Sequence, residues 1–284
     1  MNYHLFYQKT YEYLLEKASL HNVTEIDLIE KYFKPFPAEC LQHAKPNTLD
    51  GVFYRMAFHL QNATMKKNVV DFKNNYKLLY EPLLNFDFRD VLNTYQDEKE
   101  LYKSLSKKIN KIKYVEENFE KTVGYKYAKS LYASALFLSK FNSYEDLINC
   151  FLNLGDMLPL FLHYEIYGFG IALACDFVKE LDSRLDFAKP DIHIKEIILA
   201  LGLIDDSSSK SRENYQIMVT AKTIASEISL ATNQEISTYM LDKIWWLIST
   251  ETFYHHDDMK NTSNSKRKAY LEYIKQYCWN NKPD

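Results

Sequence analysis

Turn-forming residues are scarce in this chain: six Gly and seven Pro punctuate 284 residues. Their usual combined share is roughly 12%. Such scarcity excludes turn-rich all-β architecture, collagen-like repeats and low-complexity disorder. The long unbroken stretches that remain carry a helical period rather than alternation. Ile194, Ile197, Ile198 and Leu201 share one helix face, and Gly202 follows as a left-handed stop. Ile217, Ala221, Ile224, Ile228 and Ala231 recur every three or four residues, as do Ile236, Met240, Ile244 and Leu247. The spacing predicts helices over 192–201, 213–231 and 236–250. Thr232 and Glu235 fit a capping box before the last of these, and the polar run DDSSSKSRE (205–213) reads as a loop. The expected fold class is all-α.

Hydrophobic residues make up 46% and charged residues 26%, a globular balance. At ~150 residues per domain, the length allows about two units. No run approaches the ~18 apolar residues of a membrane-spanning helix. The opening MNYHLFYQKTYEYLLEK lacks a basic start followed by an apolar run, so the expectation is no signal peptide and a cytoplasmic location. Cys40, Cys150, Cys175 and Cys278 are too far apart for a zinc knuckle or an iron–sulfur run. They read as buried or incidental thiols in a reducing compartment. His255, His256, Asp257 and Asp258 carry metal-ligating groups. Adjacent His residues on a helix point to different sides, which favours a polar helix end over a metal site.

The formal net charge is −3, so a strongly basic whole-chain signature for nucleic acid is missing. Charge is unevenly spread. Residues 103–113 read KSLSKKINKIK, five Lys without an acid, and residues 260–268 read KNTSNSKRK, four cations without an acid. Two readings stay open for these runs: solvated faces, or two phosphate-facing patches.

The most informative segment is 155–204. Three of the six Gly fall at 155, 168 and 170. Gly168-Phe169-Gly170 opens a helix whose apolar face is Ile171, Ala174, Val178 and Leu181. A helix start with exposed backbone N–H groups suits one phosphate. It is not a dinucleotide fingerprint, because Leu173 stands where the third Gly would be and no strand precedes it. Twenty-one residues after Gly170 comes Asp191, in Lys189-Pro190-Asp191-Ile192-His193, placed to cap the next helix. Taken alone, such a hairpin is often just packing, and capping a helix is the commoner fate of such an Asp.

Together, hairpin, spacing, Asp191-x-His193 and the following ALGL resemble the helix-hairpin-helix DNA glycosylase superfamily. That resemblance covers roughly residues 50–250. It takes in GVFYRMAFHLQNATMK (51–66), the helices of 125–151 that lead into the hairpin, and LDKIWWLIS (241–249) as a returning helix. It implies a two-lobed helical bundle. Residues 1–45 would be an N-terminal extension and 46–284 the body. One lobe would span about 115–204, and the other about 46–114 plus 205–284.

The resemblance also implies a function: flipping a damaged or modified base from double-stranded DNA and hydrolysing its glycosidic bond. Asp191 would be the catalytic carboxylate. Gly168, Gly170 and His193 would bind phosphate, and Gln61 and Asn62 would fill the gap left by the extruded base. Phe169, Trp245 and Trp246 would line the base pocket. The carbonyls of Tyr164, Ile166 and Phe169 would hold a monovalent cation, K+ or Na+. The family's lyase members carry a Lys where Ala172 stands, so the resemblance implies hydrolysis without strand cleavage. The cysteine cluster of some members is missing, so no iron–sulfur centre is expected. The protein would act as a monomer in the nucleoid, without a membrane partner. A second class stays open, a non-catalytic DNA-binding hairpin protein in a repair or defence assembly.

Overall fold

The computed structural model of the chain describes residues 1–34, 39–62, 70–204, 210–253 and 264–278. Helices account for all regular structure among them. In chain order they are α1 (Tyr3–Ser19), α2 (Glu25–Asp27), α3 (Leu49–Leu60), α4 (Phe72–Asn75), α5 (Phe88–Thr94), α6 (Glu98–Lys108), α7 (Val123–Leu138), α8 (Tyr144–Leu154), α9 (Leu158–Glu165), α10 (Ile171–Val178), α11 (Ile192–Ala200), α12 (Lys210–Thr232), α13 (Thr238–Thr250) and α14 (Asn264–Cys278). The all-α expectation holds. No described helix is long and apolar enough to cross a membrane.

At least half of these helices share one kind of start signal in the sequence. Thr48, Asp87, Asp97, Thr122, Ser143, Asp191 and Ser237 each accept a first-turn N–H through a side-chain oxygen. Each cap stabilises its helix by ~1 kcal/mol relative to Ala. The α11 stop also matches expectation. Gly202 sits at φ +65, its N–H bonds to Leu199 O, and Leu203 N–H bonds to Ile198 O, a full Schellman closure. Two local expectations need correction. Thr232 is not a cap: it ends α12, with its hydroxyl donating to Ile228 O, and Ser237 caps α13 instead. Helix α12 also starts at Lys210, inside the polar run read as a loop.

The chain divides into two units. The first comprises Met1–Phe36 and Asp186–Asp284, and the second Pro37–Leu185. This partition differs from the expected one at both ends. Helix α1 is part of a core, not an extension. Its Phe6, Tyr13, Leu14 and Ala18 are buried in one cluster with Ile194, Ile198, Ile224, Ile228, Trp245 and Ile274. Phe6 meets the Trp245 ring edge-on, and Thr10 shares a hydrogen bond with Tyr270 of α14. Residues 46–114 build their core with 115–185: Tyr127 donates to Ala57 O, and Tyr102 of α6 packs against Tyr125 of α7. Burying aromatic rings of this size stabilises each unit.

Candidate functional site

The hairpin lies in the second unit. Helix α9 ends at Glu165, and Phe169 N–H bonds back to Ile166 O to make a tight turn. Gly168 within it sits at φ +94, a conformation strained for any L side chain, and an added Cβ would run into Ser130 Oγ. Both reasons require Gly there. The turn is tied down by His163, whose Nδ1 donates to Phe169 O at 2.7 Å.

Gly170 then caps α10 with extended backbone and no side chain, and a Cβ built there would meet open space. The first intrahelical bond is Ala174 N–H to Gly170 O. The N–H groups of Ile171, Ala172 and Leu173 therefore have no intrahelical partner, and among the described residues no side chain caps them. Around this end, Gly170 and Tyr167 are exposed, Tyr164 is 75% exposed, and Lys129 Nζ lies 4.8 Å from the Tyr167 ring centroid.

Residues 103–113 belong to the same unit. Lys103, Lys107, Lys111 and Lys113 are exposed there, while Lys108 pairs with Glu81 at 2.6 Å.

Asp191 lies in the first unit. Its Oδ1 accepts from His193 N–H at 2.8 Å and from Ile194 N–H at 3.2 Å. The half-buried carboxylate therefore caps α11, and among the described residues nothing donates to Oδ2. Two other carboxylates brace the loop before it. Asp242 accepts Lys189 N–H at 3.1 Å, and Asp186 accepts the Thr238 and Tyr239 N–H groups of α13 at 2.6 and 2.8 Å. Neither was singled out in the sequence, where only long-range placement distinguishes them from other acids.

His193 does not present a cation. Arg267 Nη1 stands 3.0 Å from its Nδ1. A guanidinium can only donate, so Nδ1 is the acceptor and the ring proton sits on Nε2. Burial lowers the His193 pKa and Arg267 lowers it further, against Asp191 and Glu196, which raise it.

Arg267 itself corrects the second basic run. It is 3% exposed and ion-paired to Glu196, and Lys266 pairs with Glu251 at 2.9 Å. Of that run only Lys268 is described as exposed. The cation beside Asp191-x-His193 is thus a buried Arg supplied by α14, 74 residues away in sequence.

The remaining expected residues divide. Gln61 is 2% exposed, and its Oε1 accepts Phe72 N–H. It ties the chain beyond α3 rather than projecting, and Asn62 beside it is exposed. Phe169 and Trp245 are fully buried core rings, Phe169 against Phe177 and Trp245 against Phe6, so neither offers a free face to a base. Trp246 is half-buried under Lys243 Nζ. Of the three carbonyls expected to hold a cation, that of Ile166 accepts Phe169 N–H and that of Phe169 accepts His163. A cation there would have to share both. Cys175 is buried and Cys150 half-buried. The segment His255–Asp258 lies outside the described residues.

Comparison with protein-family models, curated proteins and solved structures finds no match for this chain.

Proposed function

We propose that this chain is a DNA-binding protein that hydrolyses the glycosidic bond of a damaged or modified base, without strand cleavage. The observation that carries the reading is the hairpin. A left-handed Gly168 leads into a helix start at exposed Gly170 that has no side-chain cap among the described residues, with Tyr167 in the turn before it and Lys129 over the Tyr167 ring. Unpaired N–H groups and the positive end of the helix dipole suit one phosphate oxygen set. Exposed Lys residues of 103–113 supply sequence-independent attraction to further phosphates.

The chemistry belongs to Asp191. Water adds to the sugar C1′ as the bond from C1′ to the base nitrogen breaks, and that electron pair departs with the base. Positive charge builds on the sugar in between. A carboxylate stabilises that charge and accepts the water proton. Asp191 Oδ1 is held by two backbone N–H groups, which fixes the carboxylate plane and leaves Oδ2 for this role. Ala172 offers no amine for a covalent sugar adduct. The reading needs no cation at the hairpin and no imidazolium at His193.

A second reading, a hairpin binder without catalysis, is favoured by one observation. Capping α11 is by itself a sufficient reason for Asp191. A base-release assay separates the two. Duplexes carrying a panel of damaged and hypermodified bases are incubated with the native protein and with Asp191→Asn, then treated with alkali. Alkali-dependent breaks made by the native protein alone support the glycosylase. Duplex binding with no base released from any substrate supports the binder.

A further inference from the structure

The first unit carries a groove of about 580 Å³ that plays no part in the DNA reading. One wall is a stripe of α1, with Tyr7 and Tyr11 stacked at 5.8 Å between ring centroids and 25° between planes. Exposed Glu25 of α2, exposed Ile29 just after it and Met240 of α13 also line the groove. The size falls in the range of small-molecule sites, roughly 300–1,000 Å³.

Three polar facts define what would fit. Tyr7 is 8% exposed and lines the groove, and its hydroxyl makes no hydrogen bond to another described residue but reaches solvent. Tyr11 donates its hydroxyl to Glu25 Oε1 at 3.0 Å. Glu25 has no cationic partner among the described residues, whereas Glu12 at the rim is already neutralised by Lys9 at 2.6 Å. The groove thus combines two tyrosine rings and two apolar side chains with polar His4, Gln8, Thr232 and Gln234, and solvent-exposed Glu25 is its one carboxylate without a cationic partner among the described residues. Burial and the Glu25 charge push the Tyr7 hydroxyl up to about 12, and burial and the bond to Glu25 raise Tyr11 as well. Both hydroxyls stay protonated at neutral pH.

We propose that this groove binds a small organic monocation, an amine on an apolar body, with its charge on Glu25 and its body against Tyr7, Tyr11, Ile29 and Met240. A cation over tyrosine faces is attracted by the ring quadrupole, and its ammonium donates to the carboxylate. An anion would meet the Glu25 carboxylate, and a neutral body of the same shape would leave Glu25 without a counter-charge.

The test uses the full chain and three probes of one shape: benzylammonium, benzyl alcohol and benzoate, titrated by isothermal calorimetry. Benzylammonium is expected to saturate with a Kd on the order of 1 mM or tighter, a modest demand for so small a ligand. Benzyl alcohol should bind at least about tenfold more weakly, and benzoate should not bind. Glu25→Gln should weaken benzylammonium by about tenfold while leaving benzyl alcohol unchanged. The proposal is overturned if benzylammonium fails to saturate, if the three probes bind alike, or if Glu25→Gln leaves its affinity intact. The comparison of probes on the native chain stands even if the variant does not fold. None of these outcomes bears on base release.

Discussion

Two helix starts in this protein solve the same problem in opposite ways. At α11, Asp191 folds its carboxylate back onto the first-turn N–H groups of His193 and Ile194. At α10, Gly170 is exposed and offers no side chain, and Tyr167 with Lys129 over its ring stands in the turn before it. A capped end is complete and has no further appetite for an anion. A bare, exposed one is satisfied by water or by an outside acceptor. The bare end has no internal purpose for its N–H groups, whereas Asp191 has one already, so its chemistry must be tested apart from its capping.

Asp191→Asn is the sharpest way to make that separation, and the largest effect is expected here. Asn caps as well as Asp, so melting temperature should barely move. Base release should fall by about 10²- to 10⁴-fold if the carboxylate acts on water or on the sugar charge. Release kept at the native rate would leave Asp191 a cap alone.

Gly168→Ala attacks the other end. The left-handed backbone costs roughly 1–2 kcal/mol for a non-Gly residue, and the contact with Ser130 adds to it. A loss of about 2 kcal/mol in denaturant unfolding is expected, with weaker duplex binding as the hairpin loosens. An unchanged midpoint would mean that the turn relaxes freely and is not a preset geometry.

Gly170→Asp would turn one end into a copy of the other. The extended backbone at this position suits Asp, and space beside it is open. Stability should rise by a few tenths of a kcal/mol, since Gly is already a passable cap. Duplex affinity, read by fluorescence anisotropy, should fall by about tenfold, because the new carboxylate occupies the N–H groups and repels phosphate. A change that raises stability while lowering binding cannot be ascribed to unfolding. Equal affinity would remove the hairpin as the phosphate site.

How far these features were legible in the sequence depends on their range. The α11 start and stop are local: Asp191 and Gly202 act within four residues of themselves, and both were readable. The Gly168 turn was readable too, because only Gly suits that backbone. Long-range pairings were not. Nothing near Lys266-Arg267-Lys268 marks the middle residue as buried, since its partners Glu196 and His193 lie on another helix. The same holds for Trp245 and Trp246, neighbours in sequence that face a core and a half-buried surface. Helix α1 looked like an extension because its partners, α12 to α14, come some 200 residues later. A helical period shows that a face is apolar but not what it packs against.

The smallest expected effect concerns the charge state beside the capped end. His193 is half-buried, with Asp191 on its own helix start, Glu196 one turn on, and Arg267 donating to Nδ1 from α14. Burial, with help from Arg267, holds its folded pKa below the ordinary value, while the unfolded chain titrates near ~6.5. Below that pH the unfolded state binds the extra proton first, so stability is lost as pH falls from ~6.5 toward the lower folded pKa. Above it the contribution is fully present. Protonation would also convert Nδ1 from an acceptor into a donor facing a guanidinium. Melting temperature should therefore drop between about pH 7.5 and pH 5.5, and His193→Gln, whose side-chain oxygen can still accept from Arg267, should flatten that slope. An equal slope in both proteins would place the acid sensitivity in other groups. Gly170→Ala touches neither His193 nor Arg267 and meets open space, so it should leave the slope unchanged.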